Sequence, residues 1–160
     1  MDDPKALLAV YLNDHLAGAT GGTELARRLA GTHPDGERGT RLRRLATEID
    51  EDRATLTELM RRLTVRVDPI RVALGWVGEK VARLKLNGRL FQRSPLSTLL
   101  ELEAMRLGVE GKAAGWRTLR TVAEHDDRLD TAELDRLIAR ADEQIDTLEQ
   151  LRVNAAATLA

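Results

Sequence analysis

The stretch DPIRVALGWVGEKVARLKLNGRLFQRSP, residues 68–95, divides the chain into two matched halves. Asp68-Pro69 and Ser94-Pro95 each read as a helix N-cap followed by proline at the first helical position. Between them, Ile70, Ala73, Leu74, Val77, Val81 and Leu84 recur at helical spacing, and Asn87-Gly88 is a pair that tolerates positive φ at a helix end. The segment is too long for a turn. It reads as a crossover over residues 68–94 that carries its own short amphipathic helix from one end of a bundle to the other. Two long helical patterns precede it and two follow, over about 4–30, 37–67, 95–124 and 131–159. The expectation is an all-α chain, one domain over 1–160: a four-helix bundle with one long crossover.

Working outward, the segment before the crossover has the cleanest pattern. Leu42, Leu45, Ile49, Asp52, Leu56, Leu59 and Leu63 alternate at spacings of three and four, a strict heptad seam with one carboxylate at its centre. A carboxylate there costs stability unless it is paired, hydrogen-bonded or metal-bound, and the simplest outcome is that Asp52 pairs with an arginine or turns slightly outward. Helix 1 opens at Asp3-Pro4 and passes through Gly18-Ala19-Thr20-Gly21-Gly22, where each glycine costs about 1 kcal/mol of helix propensity. Small residues there suit a close helix approach, with a break into two helices as the alternative. In helix 3, Leu96, Leu99, Leu100, Leu107, Ala114 and Leu119 suggest the buried side. Glu103 and Glu110 lie along it, and Gly108, Gly111 and Gly115 favour close contact or a kink. A capping box announces helix 4, with Asp130 at the N-cap, Glu133 at N3, and Leu129 and Leu134 placed for a hydrophobic staple. Its seam reads Leu134, Ile138, Ala141, Ile145, Leu148, Ala155 and Leu159.

Composition limits the function classes. Aromatic residues make up 2% of the chain, so the core must be aliphatic, and the absence of cysteine excludes disulfides and thiolate chemistry. No uncharged run reaches the length of a membrane-spanning helix and the N-terminus lacks a basic signal region, so the expectation is a cytoplasmic protein. The net charge of −1 conceals an asymmetry. Residues 61–93 hold nine basic side chains against two acids, and residues 124–149 hold ten acids against three bases. Arg71, Lys80, Arg83 and Lys85, with Trp76 beside them, form a basic face on the crossover that suits an anionic membrane surface or an acidic partner. The simpler expectation is that the apolar stripe packs on the bundle and the basic face meets water. A pI of 6.3 without a recognition fold argues against nucleic acid.

The stretches YLNDHLAGATGG in helix 1, LATEIDEDRATLTELM in helix 2 and ELEAMRLGVEGKAAGWRTL in helix 3 resemble bacterial ferritin-like proteins. Together with one long crossover between the second and third helices, this resemblance implies a ferritin-like bundle, a family often found in stress-related contexts without an assigned reaction. Active ferritin-like enzymes take a glutamate from each of two helices and a Glu-x-x-His pair from each of the other two. This chain has no Glu-x-x-His. What remains is His15, Asp52 and one of Glu103 or Glu110. The leading expectation is therefore a non-enzymatic structural or partner-binding module with no cofactor. The alternative is an iron- or manganese-handling protein using that reduced set. Self-association as a homodimer, or binding to an unidentified protein partner, fits either.

Overall fold

The computed structural model describes residues 3–33, 35–74 and 95–159, and among them every regular element is helical. Helix α1 spans Pro4–Thr32, α2 Gly36–Arg62, α3 Pro95–Val122 and α4 Thr131–Ala156, with a short 3-10 turn over Ala157–Leu159. Residues 69–74 are also helical. No helix among the described residues is long and apolar enough to cross a membrane.

The helix ends follow from local chemistry. The Asp3 carboxylate accepts from Lys5 N–H at 3.1 Å, as the Asp-Pro reading requires. α1 then runs unbroken through Gly21-Gly22 and past Gly31 to Thr32. α2 stops earlier than its pattern suggests, at Arg62 rather than 67, in a Schellman arrangement. Val65 N–H bonds Met60 C=O at 2.9 Å and Thr64 N–H bonds Arg61 C=O at 3.0 Å. The residue in the left-handed position is Thr64, φ 61°, not a glycine, so sequence carried no stop signal there. Asp68 does cap the next helical turn, accepting from Ile70 N–H at 2.9 Å. Asp130 caps α4 through Ala132 N–H, but the capping box does not close. Glu133 instead reaches Arg62 on α2, at 2.7 Å.

Cross-helix bonds define the course of the chain. Arg27 meets Asp50, and Arg53 donates to Thr20, so α1 and α2 are antiparallel. Arg120–Asp135 and Arg106–Glu149 set α3 against α4 in the same sense. Tyr11–Thr118 and Arg28–Glu101 place α1 antiparallel to α3, while Arg62–Glu133 and Arg41–Gln150 place α2 antiparallel to α4. The order is therefore up, down, down, up. α2 ends at the opposite end of the bundle from the start of α3, so the connection between them must traverse its length. Its beginning is tied to α1 by the buried Asn13, which donates to Ala9 C=O and Arg66 C=O and accepts from Asp68 N–H at 2.6 Å. The described start of the apolar crossover stripe is not covered: Ile70 is 71% and Leu74 62% exposed. The rest of that stripe lies outside the described residues.

One continuous apolar cluster joins the four helices. The α2 seam is buried as read, Asp52 included. Two faces differ from expectation. In α3 the buried stripe is Leu99, Leu102, Met105, Val109, Ala113, Trp116 and Leu119, whereas Leu96, Leu100 and Leu107 are exposed. Of the side expected to be buried, Leu99 and Leu119 are buried as read, while Ala114 is exposed along with those three leucines. In α4 the buried set is Leu134, Leu137, Ala141, Gln144, Leu148, Leu151 and Ala155, with Ile138 and Ile145 on its flank. This is a second strict heptad, and like α2 it carries one polar residue at its centre.

Candidate functional site

The two interrupted seams face each other, and their polar centres meet. Asp52, 2% exposed, accepts from Lys112 Nζ of α3 at 2.5 Å and from the Arg140 guanidinium of α4. Lys112 also donates to Gln144 Oε1. The other end of that amide donates to Glu48 at 3.1 Å and to Asp52 at 3.3 Å. Arg140 bridges outward to Glu51 at 3.0 Å, and Arg44 holds Glu48 at 2.7 Å. Three helices thus contribute to one closed network in which every charge at the centre has an opposite partner. Burial lowers the Lys112 pKa from its ordinary value, and the facing Asp52 carboxylate works against that shift.

The remaining candidates for a metal site are elsewhere. Glu103 faces Arg152 at 3.7 Å and Glu110 faces Arg106 at 3.5 Å, both on the partly exposed side of α3. The cause is the position of the buried stripe. With Met105, Val109 and Trp116 inward, Lys112 enters the centre and the two glutamates do not. His15 lies on α1 beside Tyr11, ring centroids 4.4 Å apart, and against Gly115 of α3. Burial lowers its pKa, opposed by the nearby Asp14, so the ring is neutral near pH 7. Among the described residues no group of three or more His, Asp or Glu side chains is gathered as an ion would require. His15, Asp52, Glu103 and Glu110 are not one site. On the crossover, Arg71 is held by Asp14 at 2.5 Å and Asp68 at 3.4 Å, while Trp76, Lys80, Arg83 and Lys85 lie outside the described residues.

Beside the network, α1, α2 and α3 line a largely apolar pocket of about 430 Å³ that opens to solvent past the exposed Asp14, Gly18, Gly108 and Gly111. Its walls include Gly18 and Gly22 of α1, Gly108, Gly111 and Gly115 of α3, and Ile49 and Leu56 of α2. These glycines do not all serve close helix contact. A Cβ added at Gly18 or Gly111 would meet nothing within 4 Å, and at Gly22 and Gly108 only the Met105 methyl, at 3.6 and 3.9 Å. Only Gly115 is required by a tight neighbour, since a Cβ there would lie 3.1 Å from the His15 ring. Gly18, Gly108 and Gly111 are exposed, so the open space beside them is continuous with solvent. Asp52 and Lys112 form the polar edge, His15 stands on the α1 side, and Trp116 forms part of the α3 wall. Trp116 is 2% exposed, and its indole N–H has no hydrogen-bond partner among the described residues.

Sequence reasoning found Asp52 and His15 but not Lys112, Arg140, Gln144 or Trp116. The α4 heptad with Gln144 at its centre was there to be read, had Leu137 and Leu151 been preferred over Ile138 and Ile145. Nothing local distinguishes Lys112 from other basic residues on α3. Comparisons of the chain with protein-family models, curated proteins and solved structures find no match.

Proposed function

We propose that this chain is a ferritin-like bundle acting as a non-enzymatic binding module, with a protein-internal ion-pair network standing where ferritin-like enzymes hold metal ions between facing helices. The up-down-down-up course with one traversing connection supports the ferritin-like reading. The observation that carries the functional reading is the state of Asp52. Both its oxygens are engaged, by Lys112 Nζ and by the Arg140 guanidinium. A divalent ion at this carboxylate would have to displace two cations and sit beside them, which Coulomb repulsion in a low-dielectric interior opposes.

Elemental analysis of protein purified without a histidine tag, before and after addition of ferrous iron or manganese, tests this. The expected result is no metal above background in the wild type. Near-stoichiometric metal that disappears in Asp52→Asn, or a metal-dependent turnover by the pure protein, would sink the reading.

A further inference from the structure

We propose that the outward face of α3 is a self-association surface, and that its partner is α3 of a second copy of this chain, packed antiparallel about a two-fold axis. This deepens the binding-module reading, and rests on it, by naming a partner.

The face is a third seam, turned away from the core. Leu96, Leu100, Ala104, Leu107, Gly111, Ala114 and Thr118 follow one another at spacings of four, four, three, four, three and four, and all are exposed. Leu107 is 69% exposed and Leu96 49%. No charge interrupts the seam, and of the exposed α3 residues from 96 to 118 only Arg117 is charged. The outer faces of α2 and α4 are those of solvated helices. The first exposes Arg43, Arg44, Glu51 and Arg61, and the second Asp135, Arg136, Asp142, Glu143 and Asp146. A sustained repeat of three and four presents a straight apolar strip, which a second helix lying lengthwise covers.

The order of sizes and charges along the seam picks the partner. Leucines fill its first half and small residues its second. Antiparallel pairing with a second copy, with the axis at the level of Val109, sets Leu107 against Gly111 of the other copy, Leu100 against Thr118 and Ala104 against Ala114. Bulk then meets space along the strip, as close packing requires. Parallel pairing would stack leucine on leucine and glycine on glycine. The arrangement also accounts for Gly111, where a Cβ would meet nothing within 4 Å. No neighbour in its own chain requires that glycine, despite its cost to helix propensity, whereas an incoming leucine does. Glu103 and Arg117 both lie on the flank beside α4, where they meet Arg152 and Asp142. A two-fold antiparallel pairing lays that flank against itself reversed, so Glu103 of each copy comes within a helical turn of Arg117 of the other. Glu110, near the axis, is held by Arg106 of its own chain.

Area sets the strength. Leu96 to Thr118 spans about 33 Å, and a strip one helix wide, about 10 Å, falls short of the roughly 800 Å² per partner of a standard interface. The dimer should therefore form at micromolar and not nanomolar concentration.

Sedimentation velocity of the full chain, from low micromolar to near-millimolar concentration, tests this. The expected result is a reversible monomer–dimer equilibrium. Leu107→Glu should weaken it about 100-fold, about tenfold for each of the two copies of the site, with Leu100→Glu in its place if circular dichroism shows that variant folding poorly. Ala54→Glu, on the exposed face of α2, should leave association unchanged. Orientation is read by electron–electron spin resonance. The chain has no cysteine, so a nitroxide on Thr121→Cys is unique, and position 121 lies twelve residues from Val109. Antiparallel pairing should separate the two labels by about 36 Å along the helices, whereas parallel pairing sets them side by side. A monomer throughout the range, a dimer that survives both leucine variants or dissolves in Ala54→Glu, or labels lying side by side would each overturn the proposal. Metal analysis of the same samples reports on the module reading separately: a metal-free monomer defeats the self-association proposal alone.

Discussion

Replacing Asp52 with asparagine should destabilise the bundle strongly, and the size of the loss follows from what is left behind. The substitution conserves shape but removes the charge that compensates Lys112, whose side chain is 15% exposed, and Arg140, at 29%. Arg140 retains Glu51 at 3.0 Å and enough exposure to hydrate, so its loss is small. Lys112 retains the Gln144 carbonyl, the more distant charge of Glu48 and whatever the new amide offers. Removing one partner of a buried pair costs about 3–5 kcal/mol, and the partial exposure here places the expectation near the lower end, about 3 kcal/mol. Lys112→Met should cost less, about 2 kcal/mol, because Arg140 and the Gln144 amide still face the carboxylate. The double variant removes both charges, so it should cost about 3 kcal/mol instead of the additive sum, a coupling of about 2 kcal/mol. Urea unfolding followed by circular dichroism resolves this. With an m-value of about 2 kcal/mol/M, Asp52→Asn should lower the midpoint by about 1.5 M. Single-variant losses that add within about 0.5 kcal/mol would refute the claim that Lys112 and Asp52 act as one unit.

Three further outcomes follow from other features. Thr64→Gly should stabilise the protein by about 1 kcal/mol in the same urea assay, because the left-handed conformation at the α2 C-terminus penalises a β-branched residue; destabilisation would mean that the Thr64 side chain has an unrecognised role. Gly111→Ala should gain about 1 kcal/mol from helix propensity with no steric offset, whereas Gly115→Ala must push the His15 ring and should gain less or lose stability. Equal gains would contradict the packing described at His15. As pH falls below about 6.5, the ordinary histidine pKa, the unfolded chain takes up a proton at position 15 before the folded protein does. Stability should therefore decline from about pH 6.5 down to the lowered folded-state value. His15→Gln should show a smaller loss between pH 7.5 and pH 5, measured as the wild-type-minus-variant difference in unfolding free energy; an identical loss would remove the group from the linkage.

How much was legible in the chain differs from element to element, for identifiable reasons. α2 was readable because its seam is a strict heptad of aliphatic residues, and the cap pairs at Asp3-Pro4 and Asp68-Pro69 are local chemistry that needs no tertiary partner. The end of α2 was not readable, because its αL residue is threonine. α3 was misread in rotation: leucines on its outer side outweighed Met105, Val109 and Trp116 on the inner one, and that misplacement carried Glu103 and Glu110 toward the centre.

The sequence by itself determined four long helices and a carboxylate at mid-seam, because periodicity and capping depend on neighbours a few residues apart. Only the tertiary structure decided what faces Asp52. Lys112 and Gln144 lie 60 and 92 positions along the chain from it, and their convergence depends on the rotation of α3 and α4 about their own axes. The pocket was likewise decided there. A glycine in a helix reads the same whether a neighbouring helix fills its space or leaves it open, and only the separation of α1 from α3 distinguishes the two.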